Sequence, residues 1–197
     1  MDGLILRTPR LQLRPPRPSD VEAISRLSSA WEIARMTTRI PHPNPPESVR
    51  AFFASLGEAR ELALVIDDGE PAGFIGHGHE LGYWLGRPFW GRGYATEAAE
   101  AMLAHVFGAL GREAAQARVF ADNPASMRVL TKLGFRETGV ESGPSVARGG
   151  AVTSRVYRLE RSRWAAARAG RSRAASARAA AASGSSGSSA SGSGSGS

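Results

Sequence analysis

Glu80-Leu-Gly-Tyr-Trp-Leu-Gly-Arg-Pro-Phe-Trp-Gly-Arg-Gly-Tyr-Ala-Thr-Glu-Ala98 reads as an apolar strand, a glycine-rich turn and the opening turn of an amphipathic helix. A helix start presents backbone N–H groups that lack intrahelical acceptors, at the positive end of the helix dipole. Glycines ahead of it let the main chain approach a ligand closely and aim those N–H groups at a phosphate. The segment is built to hold a phosphorylated cofactor. A P-loop would need Gly-x-x-x-x-Gly-Lys-Ser/Thr, and a dinucleotide fold Gly-x-Gly-x-x-Gly. Neither is present, because Gly91-Arg92-Gly93 runs into Tyr94-Ala95-Thr96 and then Glu97.

The stretch Trp90-Gly91-Arg92-Gly93-Tyr94-Ala95 resembles the pyrophosphate-binding motif of the GNAT acetyltransferase superfamily, Arg/Gln-x-x-Gly-x-Gly/Ala. Gly93 and Ala95 fit, while Trp90 stands at the usual Arg/Gln position. A second segment, Asp122-Asn-Pro-Ala-Ser-Met-Arg-Val-Leu-Thr-Lys-Leu-Gly-Phe135, is similar to another signature of the same superfamily. Its physics also reads independently. Asn123 suits an N-cap, Pro124 the first helical position, and Gly134 the left-handed residue that ends a helix. Val129, Leu130 and Leu133 supply the packed face. In this order the two motifs resemble the RimJ/RimL branch of ribosomal-protein N-terminal acetyltransferases, over residues 4–164.

That resemblance implies the GNAT fold, an α/β (α+β) domain with a mixed, mostly antiparallel central sheet flanked by helices, expected over residues 1–164. It also implies acetyl-CoA as co-substrate and a primary amine as acceptor, either a protein N-terminus or a small amine. Amide formation then requires a held thioester, an amine that has lost its proton, and a stabilised thiolate. Arg92, Gly93, Tyr94, Ala95 and Thr96 are assigned to the pyrophosphate, chiefly by backbone N–H donation. By resemblance, the strand Tyr83-Trp84-Leu85 pairs its backbone with the pantetheine arm, and Asn123 contacts the cofactor. Ser126 matches the residue near the CoA sulfur, where its hydroxyl would hydrogen-bond the thiolate.

The general base is open. Glu80 begins the strand beside the expected thioester and matches a glutamate that acts as base in several GNAT enzymes; it also reads as a solvated strand-end carboxylate. His77 and His79 alternate onto one face, and histidine titrates near neutrality. A zinc site on that pair would need a third ligand, which no motif supplies, so no metal is expected. Arg87, Arg128 and Lys132 read as solvated charges, and Trp84 and Trp90 as core or cleft packing.

Alternation makes Leu11–Arg14 the first strand, followed by a helix over Val21–Leu27 that Ser19-Asp20 cap. Pro41–Pro46 is a loop, Glu47–Arg60 a helix, and Leu62–Ile66 a buried strand returning through Ala72–Gly76. The helix Ala95–Leu110 carries an apolar stripe of Ala98, Met102, Leu103, Val106, Phe107 and Leu110. Ala117–Phe120, Phe135–Val140 and Ser154–Leu159 complete the sheet, with a Gly143–Gly150 loop between the last two. From Ala165 an Ala/Arg segment, at most a transient helix, and then Gly/Ser repeats read as a disordered tail over residues 165–197.

The 197 residues suffice for one domain with a real core. No run of about twenty apolar residues exists to span a membrane, and a secretory leader is not expected at Met1. The chain has no cysteine, which excludes disulfides and a cysteine nucleophile and suits a reducing cytoplasm. Arg168, Arg171, Arg173 and Arg178 of the tail take four from the net charge of +7 and leave +3 for the rest. The tail lacks interleaved aromatics, so nucleic-acid binding is not expected. A catalytically silent acyl-CoA-binding module is the alternative function, and a homodimer stays open.

Overall fold

The computed structural model describes residues 3–56 and 62–184, with side chains through Ala174. Eight strands form one sheet in the order β1-β2-β3-β4-β5-β6-β8-β7. These are β1 (Leu6–Arg7), β2 (Gln12–Arg14), β3 (Leu62–Asp67), β4 (Pro71–His77), β5 (Leu81–Leu85), β6 (Ala114–Phe120), β7 (Arg136–Ser145) and β8 (Gly150–Glu160). Every neighbouring pair is antiparallel except β5 and β6, which run parallel. The mixed, mostly antiparallel sheet flanked by helices is the one the motifs implied.

Helices α1 (Val21–Ser28), α2 (Trp31–Ala34) and α3 (Pro46–Ser55) precede β3, and α4 (Tyr94–Gly108), α5 (Pro124–Leu133) and α6 (Arg161–Gly184) follow β5. Side chains alternate across the sheet, and the two faces bury separate clusters. Phe74 of β4 joins Val21, Ile24 and Val49 from α1 and α3, with Trp84 of β5 packed against them. Ile75, one residue on, joins Met102, Leu103, Phe107 and Leu130 from α4 and α5 on the opposite face. One face therefore packs on α1 and α3, the other on α4 and α5.

Several local expectations shift. The helix expected from Glu47 to Arg60 ends at Ser55, and residues 57–61 lie outside the described residues. Leu110 is nearly half exposed, because α4 stops at Gly108 before the stripe reaches it. Half of the expected Gly143–Gly150 loop is paired strand, leaving residues 146–149 as the turn. Asp20 does not cap α1 through its side chain. Its carboxylate instead accepts two hydrogen bonds from buried Arg14, at 2.7 and 2.8 Å, and one from the Arg17 amide.

Helix α6 runs through Ala165, where the tail was expected to begin. Trp164 is buried against Phe107, with ring centroids 5.2 Å apart. Arg171 donates to Glu100 at 3.0 Å and to the Lys132 carbonyl at 2.9 Å, tying that part of α6 to α4 and α5. Alanine has the highest helix propensity, so the composition suits this conformation. The Gly/Ser segment from residue 185 lies outside the described residues. No helix among the described residues is long and apolar enough to cross a membrane.

Candidate active site

The parallel strands β5 and β6 share a single register pair, Leu81 with Ala117. On its other side β5 stays paired with β4 from Leu81 through Leu85. The two parallel strands therefore diverge into a wedge, and the edge of β5 facing β6 is open over Gly82–Trp84. An open edge of main-chain N–H and C=O groups accepts an extended partner that carries amides.

The wedge leads into the glycine-rich turn. Gly91 and Gly93 sit at φ +76° and +81°, the left-handed region that costs any other residue backbone strain. Gly93 is the N-cap of α4, so the amides of Tyr94, Ala95 and Thr96 have no intrahelical acceptor. Arg10 braces the turn by donating to the Arg92 carbonyl at 2.9 Å while pairing with Glu97, which also accepts from Thr8 at 2.6 Å. Burial by itself raises the Glu97 pKa, but these hydrogen bonds outweigh it and lower the pKa below the usual carboxylate value. The Trp90 indole N–H donates to the Leu85 carbonyl at 2.7 Å, so Trp90 pins the turn to β5 while its ring stays half exposed. Its expected packing role thus becomes a hydrogen-bonding one. Arg92 lies over the Phe89 and Tyr94 rings with its side chain half exposed, 3.8 Å from the Asp68 carboxylate.

Gly93→Val tests this cradle. The strain of a β-branched residue at this φ, about 1–3 kcal/mol, drives the turn to another conformation that ligand binding must reverse. CoA affinity is expected to fall roughly 10- to 100-fold in calorimetric titration. A Kd within twofold of the parent would contradict the assignment.

At the other wall of the wedge, Asn123 caps α5, its Oδ1 accepting from the Ser126 amide at 3.1 Å. Gly134 closes the helix in the left-handed conformation. The Ser126 hydroxyl lies 2.8 Å from the Tyr83 hydroxyl, so β5 and α5 meet through a pair of hydroxyls. Burial pushes the Tyr83 pKa up to about 12, against the partial offset of the Ser126 hydrogen bond. Tyr83 keeps its proton at neutral pH. The sequence reading gave Tyr83 only a backbone role. Strand alternation was the available signal, because Trp84 faces α1 and α3 and its neighbour must therefore face α5.

A cavity of about 1070 Å³ spans the wedge and continues toward α3. Ser126, Asn123, Tyr83, Trp84 and Glu80 all line it. Glu80 sits in the turn just before β5, and its Oε1 accepts from Arg118 of β6 at 3.0 Å. Arg118 also contacts Glu141 at 2.9 Å. His77 is buried with Nε2 unpartnered among the described residues, whereas His79 is exposed. Burial, then the nearby Arg112 charge, lowers the His77 pKa, so this imidazole stays neutral. The two histidines thus have different surroundings, and no group of three or more His, Asp or Glu side chains suited to a metal occurs among the described residues. At the far rim the β7–β8 turn is tied to the segment that follows α2. Asp122 accepts from Arg35 at 2.9 Å and from Arg148 at 3.1 Å, and the Val146 amide donates to the Thr38 carbonyl. Arg35, Arg118 and Arg148 escaped the sequence reading, since isolated arginines carry no motif.

The family model for the acetyltransferase (GNAT) domain matches residues 10–136. An N-acetyltransferase of Bacillus subtilis (strain 168) named YoaA, itself uncharacterized, is 31% identical over 173 residues, covering 81% of this chain and 98% of its own. Mycobacterium smegmatis RimJ, solved in complex with CoA-disulfide, superposes with a TM-score of 0.67 at 27% identity, over 80% of this chain and 86% of RimJ. A GNAT-family acetyltransferase from Bacillus anthracis shares the fold with a TM-score of 0.69 at 20% identity, over 81% of this chain and 99% of that one. The chain belongs to the GNAT acetyltransferase family, N-acetyltransferases whose acetyl donor is acetyl-CoA.

Proposed function

We propose that this protein transfers acetyl from acetyl-CoA to a primary amine by direct attack, without a covalent enzyme intermediate. The divergence of β5 from β6 beside the Gly93-capped helix carries the reading. The amides of Gly93, Tyr94, Ala95 and Thr96, with the Arg92 guanidinium, take the diphosphate. The pantetheine amides run along β5 at Tyr83, Trp84 and Leu85, and Asn123 flanks the arm. That the related RimJ binds a CoA disulfide supports a CoA ligand of this shape.

The thioester then lies by Tyr83 and Ser126. The amine enters from the side of α3 and gives up its proton to Glu80, whose Oε2 has no partner among the described residues, directly or through water. The nitrogen attacks the thioester carbon, the C–N bond forms and the C–S bond breaks. The departing thiolate receives hydrogen bonds from the Ser126 and Tyr83 hydroxyls. The cysteine-free chain suits a reducing cytoplasm.

The test is thiol release from acetyl-CoA across a panel of primary amines. Release that depends on the amine is expected. Tight CoA binding with no amine-dependent release would make the protein a silent acyl-CoA-binding module instead.

A further inference from the structure

The acceptor end of the cavity has a composition of its own, and the following rests on the acetyl-transfer reading. Past the wedge, on the face of α1 and α3, the wall is made by Phe74 and Trp84 of the sheet, Val49 and Phe52 of α3, and Val146 of the β7–β8 turn. Phe74 is buried and meets Phe52 edge-on, with ring centroids 5.4 Å apart. Phe52 and Val146 remain about a third and more than half exposed, respectively. They are large apolar groups left uncovered at a cavity mouth. Trp84 of the same wall belongs to the strand whose other face presents Tyr83 to Ser126. Trp84, Tyr83 and Ser126 line the same cavity, so the apolar wall opens onto the locus of the thioester.

The charges in the cavity point the same way. Among the described residues the charged lining side chains are Arg39, Arg118 and Glu80, and Arg118 engages both Glu80 and Glu141. The histidine side chains are His77, held neutral, and His79 at the exposed turn. A second ammonium on the acceptor would have to leave water against this apolar wall.

We infer that the acceptor is a primary amine whose adjoining carbon carries a bulky apolar group, and that this group seats against Phe52, Phe74, Trp84 and Val146. Polyamines and aminoglycoside-like polycations are disfavoured because their further ammonium groups meet an apolar wall, and acceptors with a methyl or hydroxymethyl group leave the wall unfilled. The shared chemistry has two sources, the N-terminus of a peptide beginning with a large apolar residue and a free amino-acid derivative of the same kind.

The experiment compares kcat/KM in thiol release for Phe-Ala-Ala, Leu-Ala-Ala, Ala-Ala-Ala and Ser-Ala-Ala, for phenylalaninamide and leucinamide, and for spermidine. Phe- and Leu-initiated acceptors should exceed the Ala- and Ser-initiated ones at least about tenfold, given what a missing methylene alone is worth in an apolar pocket. Spermidine should be the poorest substrate. The tripeptide and amide arms separate the two sources. Phe52→Ala, at an exposed helix position, should shrink the Phe-over-Ala ratio severalfold through the acceptor KM, and Val146→Ala in the turn should do so more weakly. Equal rates across first residues, or spermidine as the best acceptor, would overturn this inference and leave acetyl transfer standing. No amine-dependent release with any of the panel would overturn both.

Discussion

Arg14→Met is expected to destabilise the fold by about 3–5 kcal/mol, the usual loss when one partner of a buried ion pair is removed. Arg14 is 3% exposed and donates to Asp20 at 2.7 and 2.8 Å and to Asp67 at 2.6 Å. It joins β2 to β3 and to the entry of α1. Methionine fills similar space but leaves the buried Asp20 carboxylate with only the Arg17 amide. For a chain of this size the melting temperature should drop by roughly 10 °C. The pH dependence carries a sign. Burial raises the Asp20 pKa, but the hydrogen bonds from Arg14 and Arg17 outweigh it and leave the folded value below the ordinary one of 3.8. A depressed folded pKa contributes stability that is present above the unfolded value and lost as pH falls through the folded one. In Arg14→Met that contribution is gone, so the gap to the parent should narrow in acid. Urea denaturation at neutral pH and near pH 3 measures both effects. A loss under about 1 kcal/mol at neutral pH would contradict the account of this triad.

The second large effect falls on catalysis. Ser126→Ala and Tyr83→Phe each remove one hydroxyl from the pair at the wedge, and each is expected to lower kcat by about 100-fold, the lower end for losing one oriented donor. The acetyl-CoA Kd should change by less than about threefold, because the diphosphate and pantetheine contacts lie elsewhere. Since the hydroxyls act as a unit 2.8 Å apart, the double variant should lose little more than either single one. Pre-steady-state thiol release with calorimetric CoA titration separates the two quantities. Equal losses in turnover and affinity would remove Ser126 from the chemistry and leave it a first-turn residue of α5.

The fold was legible where local chemistry and topology agree. Gly134 takes the left-handed φ that ends a helix, Gly93 heads α4, and Asn123 and Pro124 take the cap and first position of α5. These residues are read by local backbone rules, which sequence carries directly. The boundaries that moved depend on distant partners. Asp20 looked like a cap and is an ion-pair partner, because Arg14 across the turn outcompetes the helix amides for its oxygens. Helix α6 passes the expected boundary because Trp164 finds Phe107 and Arg171 finds Glu100, neither of which is adjacent in sequence.

The same division holds at the site. Ser126 and the Gly93 turn were singled out by their resemblance to family motifs, and the fold sets both at the wedge. The Tyr83 hydroxyl, the Arg118 bridge between Glu80 and Glu141, and the Arg35–Asp122–Arg148 strap come from strands and turns that only the folded sheet brings together. The pairing of Glu80 with Arg118 also changes how that residue acts. Its carboxylate is oriented by the neighbouring strand and is no longer the free, solvated group that a strand-end glutamate suggests.

A crystal structure with acetyl-CoA bound tests the central claim most directly. The diphosphate should accept from the amides of residues 93–96, the pantetheine should run along β5 at Tyr83–Leu85, and the sulfur should lie within hydrogen-bonding reach of the Ser126 hydroxyl. A diphosphate bound away from the Gly93 turn, or a sulfur remote from the Ser126–Tyr83 pair, would contradict it.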